Sequence, residues 1–228
     1  MKHILFLSII FSAGITSAQN ETTTNFRLEK IDNIIRGGLG STYFYNPRRE
    51  VKVTEYLFDN WDNSAVITNN ENHNFLFKNV NININQNVIQ AKIARDSVFD
   101  FNLNDIKHIV INSKMYKNIY SSEGKRIYEI IYESDKFSII KGFESVVIAA
   151  SINPMVNHVL KEKSVRRETY YLKSDLQTLP FRLSKSKVLK LFANDPERAI
   201  EINALMKSRR LSYKKEGDLK KVLILTEK

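Results

Sequence analysis

The sequence predicts an α+β protein that is mainly β: an antiparallel meander forming a sandwich or a partly closed barrel, followed by two to three short helices. Two observations support this prediction. Between residues 41 and 183, apolar and polar residues alternate in short runs, which is the period of a strand with one buried face. From residue 184 onwards the apolar residues recur at helical spacing.

Residues 1–18 have the composition of a secretory signal peptide. Lys2 precedes an apolar stretch from Ile4 to Phe11, and small residues lead to a cleavage point after Ala18. The stretch is too short to span a bilayer, no later stretch is longer, and the chain has no cysteine to carry a lipid. We therefore expect an exported protein, periplasmic or extracellular, that is not lipid-anchored and has no transmembrane segment after cleavage.

Residues 19–40 are predicted to form a flexible leader and then a short helix or edge strand. Leu28, Ile31 and Ile35 lie at helical spacing, and the glycine-rich stretch GGLG at 37–40 ends the element. GGLG lacks the spacing of a phosphate-binding loop. It is therefore predicted to be a turn.

The stretch from His73 to Ser113 is predicted to be one continuous meander. In its first strand, Val80, Ile82 and Ile84 alternate with asparagines. The apolar residues are expected to face the core and the asparagines to face water. Turn signals then divide the rest of the stretch into further strands.

Two more predictions concern the second half of the β domain. In the strand Arg126–Glu133, Ile131 and Glu133 are expected on one face and Tyr132 on the other, by simple alternation. Residues 153–167 contain a proline, two asparagines, a histidine and four basic residues, and are predicted to be a long mobile loop. A closing hairpin should follow and end at residue 183.

Residues 184–228 are predicted to be a basic helical tail packed on the β domain. Ser184 or Ser186 can cap a first helix, Asp195 followed by Pro196 starts a second, and a third begins near Glu216. The apolar residues expected to face the sheet are Ala199, Ile202, Leu205, Met206, Leu219, Val222 and Leu223.

Several stretches together resemble an uncharacterised family of exported β-rich proteins from Bacteroidetes-type bacteria. They are the signal peptide, EYLFDNWDNSAVI, the meander ending in DSVFDF and IKHIVIN, RIYEIIYESDKFSIIKGF, ASINPMVNH, and the lysine-rich tail with its proline-started helix. The resemblance covers nearly the whole chain after the signal peptide. It implies export and this architecture, and it implies no activity.

The chain carries no catalytic, cofactor or metal motif that we recognise. Only His73, His108 and His158 follow the signal peptide, and neither HExxH, GxSxG nor a cysteine occurs. Asp59 with Asp62, and Asp96 with Asp100, form near pairs beside turn signals. We predict that they are turn residues and that the protein is not an enzyme, and a hydrolase with a dispersed carboxylate site is the alternative.

Charge is the feature that departs from an ordinary composition. Residues 182–228 contain 13 basic and 6 acidic residues, a net of +7 within a whole-chain net of +10. Such an excess could bind a polyanion, or the lysines could simply solvate the outer faces of short helices. The candidate polyanion-binding residues are Lys185, Lys187, Lys190, Arg209, Arg210, Lys214 and Lys215.

Trp61 and His158 are the two candidate ligand-facing residues outside the tail. Trp61 is the only tryptophan and lies among aspartates and asparagines that could contact a sugar, although it could equally close one end of a sheet. We predict a non-enzymatic exported protein of the envelope or periplasm with a binding or structural role. Its partner is unassigned, with an envelope protein and an acidic polymer as the two candidates.

Overall fold

The computed structural model describes residues 40–44, 55–95, 97–121, 124–148, 151–153, 158–160, 163–175 and 177–227, with the backbone alone at 40–44, 151–153, 158–160 and 163. The predicted signal peptide and leader therefore lie outside the described residues, except for Gly40. Within these ranges the strands are β1 (Gly40–Phe44), β2 (Ala65–Asn69), β3 (Asn74–Phe77), β4 (Val80–Asn83), β5 (Val88–Ala94), β6 (Ser97–Phe101), β7 (Ile106–Ile111), β8 (Lys114–Ser121), β9 (Gly124–Glu133), β10 (Ser138–Ile148), β11 (Ser151–Asn153), β12 (His158–Leu160), β13 (Lys163–Lys173) and β14 (Thr178–Pro180). The helices are α1 (Lys185–Lys190), α2 (Pro196–Ser208) and α3 (Glu216–Leu225).

The strands form two main antiparallel sheets and one short hairpin. The larger sheet has eight strands in the order β14-β13-β10-β9-β8-β7-β2-β3, and the smaller has four in the order β1-β6-β5-β4. β11 pairs with β12. Within the described residues neither sheet closes into a barrel. The predicted fold class, a mainly antiparallel β structure followed by short helices, is confirmed.

The stretch from His73 to Ser113 is divided between the two sheets, so the prediction of one continuous meander was wrong. β3 and β7 both pair with β2 in the larger sheet, on opposite sides of it. β4, β5 and β6 pair in succession in the smaller sheet. Alternation showed correctly that these segments are strands. It carries no information on which strand each one pairs with, because every pairing leaves the same alternation.

The predicted long loop at residues 153–167 is largely strand. β13 begins at Lys163 and pairs with β10 along its whole length, from Lys163 opposite Ile148 to Lys173 opposite Ser138. The basic residues suggested a loop, but Arg166 is part of β13 and donates a 2.6 Å hydrogen bond to the backbone oxygen of Leu57. Residues 154–157 and 161–162 lie outside the described ranges.

A β-bulge in β9 overturns the predicted faces of its last residues. Ile140 lies opposite Ile130 while its neighbour Ile139 lies opposite Tyr132, so Ile131 is an extra residue. The alternation changes phase there. Tyr132 therefore joins the core beneath the helices, together with Ile131 and Ile139, and Glu133 pairs with Lys117 instead.

The helices cover the face of the larger sheet that carries Ile139. Val188 of α1, Ile202 and Met206 of α2, and Leu219, Val222 and Leu223 of α3 are all buried in that core. The predicted start of α2 is confirmed, since Asp195 accepts a hydrogen bond from the backbone N–H of Arg198 and Pro196 occupies the first helical turn. Among the described residues, no helix is long and apolar enough to cross a membrane.

The asparagines of β4 are buried, contrary to the prediction that they face water. Asn81 and Asn83 are only 1% and 3% exposed. Asn81 accepts hydrogen bonds from the backbone N–H groups of Phe58 and Ile82, and its amide donates to the backbone oxygens of Phe58 and Asn60. A side chain with two acceptor sites and two donors can thus replace a neighbouring strand. It holds the irregular segment 57–63 against the smaller sheet.

Candidate functional site: the basic helical surface and its ion cluster

All seven predicted polyanion-binding residues are exposed, and we refer to them as the basic helical surface. Three lie on α1 (Lys185, Lys187 and Lys190), and four lie on the segment that joins α2 to α3 (Arg209, Arg210, Lys214 and Lys215). None of the seven forms an ion pair with a described carboxylate. Their charges are therefore available to a ligand.

The acidic residues of the same tail are mostly engaged elsewhere. At least four of its six carboxylates bond to the protein itself: Asp195 to the backbone of Arg198, Glu216 to Lys141, Asp218 to the backbone N–H of Ser212, and Glu227 to the hydroxyl of Tyr132. Helix caps and internal contacts thus neutralise or bury much of the negative charge of the tail, while its basic side chains stay exposed to solvent. The outward surface is more basic than the formal charge of the tail suggests.

The segment between α2 and α3 begins with a tight helix ending. The N–H of Leu211 donates to the carbonyl of Met206 at 2.9 Å and the N–H of Arg210 donates to that of Lys207 at 3.2 Å, which is the Schellman pattern. Arg210 has φ of 53°. Glycine usually occupies this left-handed position, because a Cβ is strained there. An arginine at this point places a charge at a conformational cost.

Replacing Arg210 with glycine should therefore stabilise the protein. We expect the free energy of unfolding to rise by about 1 kcal/mol, since the left-handed conformation costs an L-residue roughly that much. Urea denaturation would measure the change. Arg209→Gly is the matched control: Arg209 has φ of −93°, so glycine there should lower stability through its greater loss of entropy. An equal effect of the two substitutions would contradict the strain at Arg210.

The other end of the segment is fixed by what we call the ion cluster, formed by Lys114, Glu129, Lys141, Glu168 and Glu216. Glu216, in the first turn of α3, lies 2.7 Å from Lys141 Nζ. Lys141 also lies 3.1 Å from Glu129 and 3.7 Å from Glu168, and Lys114 pairs with Glu129 at 3.1 Å. The side chains of Lys141 and Glu129 are both only 4% exposed. α3 is thereby tied to the middle of the larger sheet.

The environment of the cluster keeps its central groups charged. Burial opposes the charged form of Lys141, but hydrogen bonds to Glu216 and Glu129 outweigh it, so the pKa of Lys141 is raised. Burial likewise opposes the charge on Glu216, but the bonds from Lys141 and Tyr170 hold the pKa of Glu216 below its usual value. Burial and the hydrogen bond to Glu216 raise the pKa of Tyr170 to about 12.

The directions of these pKa shifts are those expected of a structural ion pair and not of a catalytic one. A nucleophilic lysine needs a lowered pKa and a general-acid carboxylate a raised one, whereas Lys141 and Glu216 shift the opposite way. Sequence reasoning missed this cluster because its members are far apart along the chain. A weak signal existed: Lys141 interrupts the apolar run FSIIKGF and Glu129 interrupts IYEIIYE.

The two candidate ligand-facing residues are placed differently. Trp61 is half-buried, and its ring lies edge-on to Tyr56 with centroids 4.9 Å apart. His158 starts β12 opposite Asn153, and its side chain lies outside the described residues. The structure therefore does not bring the pair of candidates into one described site.

The predicted turn carboxylates have separate partners. Asp59 lies 3.7 Å from Arg166 and is 91% exposed. The prediction that Asp100 is a turn residue was wrong: it lies within β6, opposite Gln90 of β5, and accepts a 2.9 Å hydrogen bond from the Gln90 side chain. Asp96 lies outside the described residues. In the described part of the chain, no three His, Asp or Glu side chains are grouped so that they could hold a metal ion.

No family model, curated protein or solved structure matches the chain.

Proposed function

We propose that the protein is an exported, non-enzymatic binding module of the bacterial envelope, and that its basic helical surface binds an acidic polymer. One observation carries the proposal: seven exposed basic residues have no described carboxylate partner while most acidic residues of the same tail are engaged in other contacts. Export is supported by the composition of residues 1–18 and by the resemblance to an exported family.

The segment 209–215 is the strongest part of this surface. It carries four cations within seven residues. Both of its ends are held, one by the helix ending at Arg210 and the other by the ion pair in which Lys141 donates to Glu216. A fixed segment loses less conformational entropy when it binds a ligand. The surface is thus suited to phosphate or sulfate groups repeated along a chain.

Binding of this kind depends strongly on salt, because each neutralised phosphate or sulfate releases a condensed counterion. With four contacts, we expect the logarithm of the association constant to fall with the logarithm of salt concentration with a slope of about −3 to −4. A ligand held mainly by apolar contacts would show a slope near zero. The slope therefore reports how many of the cations take part.

The test is retention on immobilised heparin across a salt series, with two charge-reversed variants compared with the parent. One variant carries Glu at Arg209, Arg210, Lys214 and Lys215. The control carries Glu at four exposed basic residues of the β domain: Lys78, Arg95, Lys107 and Lys125. Both variants have the same net charge. We expect the parent and the control to be retained well beyond the salt concentration that elutes the first variant. Equal losses in the two variants, or no retention of the parent, would contradict the proposal.

A further inference from the structure

A second candidate binding site lies at the opposite end of α2 from the segment 209–215. It is a cleft of about 190 Å³ between the β9–β10 hairpin, the turn that links α1 to α2, and Glu227, two residues after the end of α3. Phe137 and Phe192 supply apolar wall, and Arg198 lines the cleft beside them. This cleft does not involve the seven residues proposed to bind a polymer.

Arg198 is held in one orientation. Its guanidinium carbon lies 4.8 Å from the centre of the Phe192 ring, and Nη2 donates a 2.8 Å hydrogen bond to the Tyr132 hydroxyl. A longer bond, 3.4 Å, joins Nη2 to the carbonyl of Leu223. Arginine stacked on an aromatic ring and bonded at one nitrogen presents the rest of its planar fork in a fixed direction.

The charge of Arg198 has no direct counter-ion among the described residues. Its Nε is buried without a hydrogen-bond partner, and no described carboxylate lies within 4.0 Å of the guanidinium. Glu227 is reached only through the Tyr132 hydroxyl, 3.4 Å away from it. Buried or half-buried cations are normally paired. An arginine that lines a cleft and has no carboxylate counter-ion among the described residues is suited to bind an external carboxylate.

The charged residues at the rim of the cleft determine which other charged groups the ligand can carry. Asp135, Asp195 and Glu227 line it against two cations, Arg198 and Lys136, so a ligand with several negative charges would be repelled. A positive group near the carboxylates would be attracted. The volume is below the roughly 300–1,000 Å³ of sites for drug-sized ligands, and corresponds to about six water molecules.

We propose that this cleft binds a small zwitterion, an α-amino acid with an apolar side chain. The carboxylate of the ligand bonds to the guanidinium of Arg198, and its ammonium group lies at the acidic rim. Its side chain packs on Phe137 and Phe192. The N–H groups of Nη1 are the donors to this carboxylate, because Nη2 already donates to Tyr132 and Leu223 and Nε is buried. Hydrogen bonds between charged groups are stronger than those between neutral groups.

Two-dimensional NMR of the ¹⁵N-labelled protein tests the proposal with three probes of similar shape. L-phenylalanine carries both charges, 3-phenylpropionate lacks the ammonium group, and phenethylamine lacks the carboxylate. We expect L-phenylalanine to shift the amide signals of residues 134–137, 192–195, 197 and 198 with saturation, and each analogue to bind at least tenfold more weakly. No saturable shift with L-phenylalanine, or saturable shifts confined to other residues, would overturn the proposal.

Variants of the protein test which residues bind the carboxylate and the ammonium group of the ligand. Arg198→Lys keeps the positive charge but loses the planar guanidinium group, and is expected to weaken the binding of L-phenylalanine at least tenfold. Asp135 lies on the exposed hairpin, so Asp135→Asn should fold like the parent. It is expected to weaken the binding of L-phenylalanine and to leave the binding of 3-phenylpropionate unchanged. This variant still tests the proposal if Arg198→Lys folds poorly. Arg95→Lys, at an exposed arginine that does not line the cleft, is the matched control and should bind like the parent. Equal affinity of all variants for L-phenylalanine would overturn the assignment to this cleft.

Discussion

Replacing Lys141 with methionine is expected to lower the free energy of unfolding by about 3–5 kcal/mol, which is the cost of removing one partner from a buried ion pair. Methionine fills a similar volume, so the loss comes mainly from charge. Glu129, only 4% exposed, would be left with a single, partly exposed partner, Lys114. Glu216 would lose the bond that ties the start of α3 to the sheet. Chemical denaturation monitored by circular dichroism would give the difference.

Lys114→Met is the matched control for this prediction. Lys114 pairs with the same carboxylate, that of Glu129, at the same 3.1 Å distance as Lys141, but its side chain is 45% exposed. Solvent screens an exposed pair, so we expect a loss of less than about 1 kcal/mol. Similar losses in the two variants would show that burial is not what makes Lys141 important.

Two further measurements identify unpaired negative charge as the cause. Adding Glu129→Gln to Lys141→Met should recover part of the loss, because the uncompensated carboxylate is removed.

The pH dependence of stability should show the same dependence on charge. The lowered pKa of Glu216 means that its contribution is present above the ordinary value of 4.5 and is lost as pH falls through the folded-state pKa. The raised pKa of Lys141 means that its contribution is complete below 10.5 and is lost as pH rises through the folded-state pKa. The stability difference between parent and Lys141→Met should be constant between these values and shrink outside them.

The elements that the sequence predicted correctly depend on local signals. The start of α2 is determined by Asp195 and Pro196, two adjacent residues whose side chains act on the backbone next to them. The buried face of α3 follows from the spacing of Leu219, Val222 and Leu223. Such features depend on neighbours a few residues away, so a single sequence contains them.

Strand partners and the phase of β9 could not be obtained in the same way. The bulge at Ile131 exists because Ile139 and Ile140 of the next strand meet Tyr132 and Ile130, and this depends on the packing of both strands. The basic helical surface was predictable as a set of charges. The ion cluster that anchors it joins residues up to 102 positions apart, Lys114 and Glu216, and no spacing rule connects them.

Asn81→Ala is expected to lower the free energy of unfolding by about 2–4 kcal/mol. Four hydrogen bonds end on this side chain, which is 1% exposed, and each contributes about 1 kcal/mol on balance. The prediction follows from the finding that the asparagines of β4 are buried. If they faced water, as simple alternation suggested, the same substitution would cost almost nothing.

Asn85→Ala provides the comparison, because Asn85 has the same parity along the chain as Asn81 but is exposed in the turn after β4. Its substitution should change stability by less than about 0.5 kcal/mol. Comparable losses at the two positions would show that asparagine content, and not the four bonds of Asn81, stabilises this part of the sheet.

The fluorescence of Trp61 separates a local effect from a global one. Trp61 is the only tryptophan and lies in the segment 57–63 that Asn81 holds. If the four bonds fix that segment, Trp61 in Asn81→Ala should be quenched more by iodide under native conditions, while the circular dichroism of the sheet stays that of the parent. Unchanged quenching together with a lower stability would place the role of Asn81 inside the smaller sheet, through its bond to Ile82, and not at the segment. The two outcomes differ because the side chain bonds both to its own strand and to the segment packed beside it.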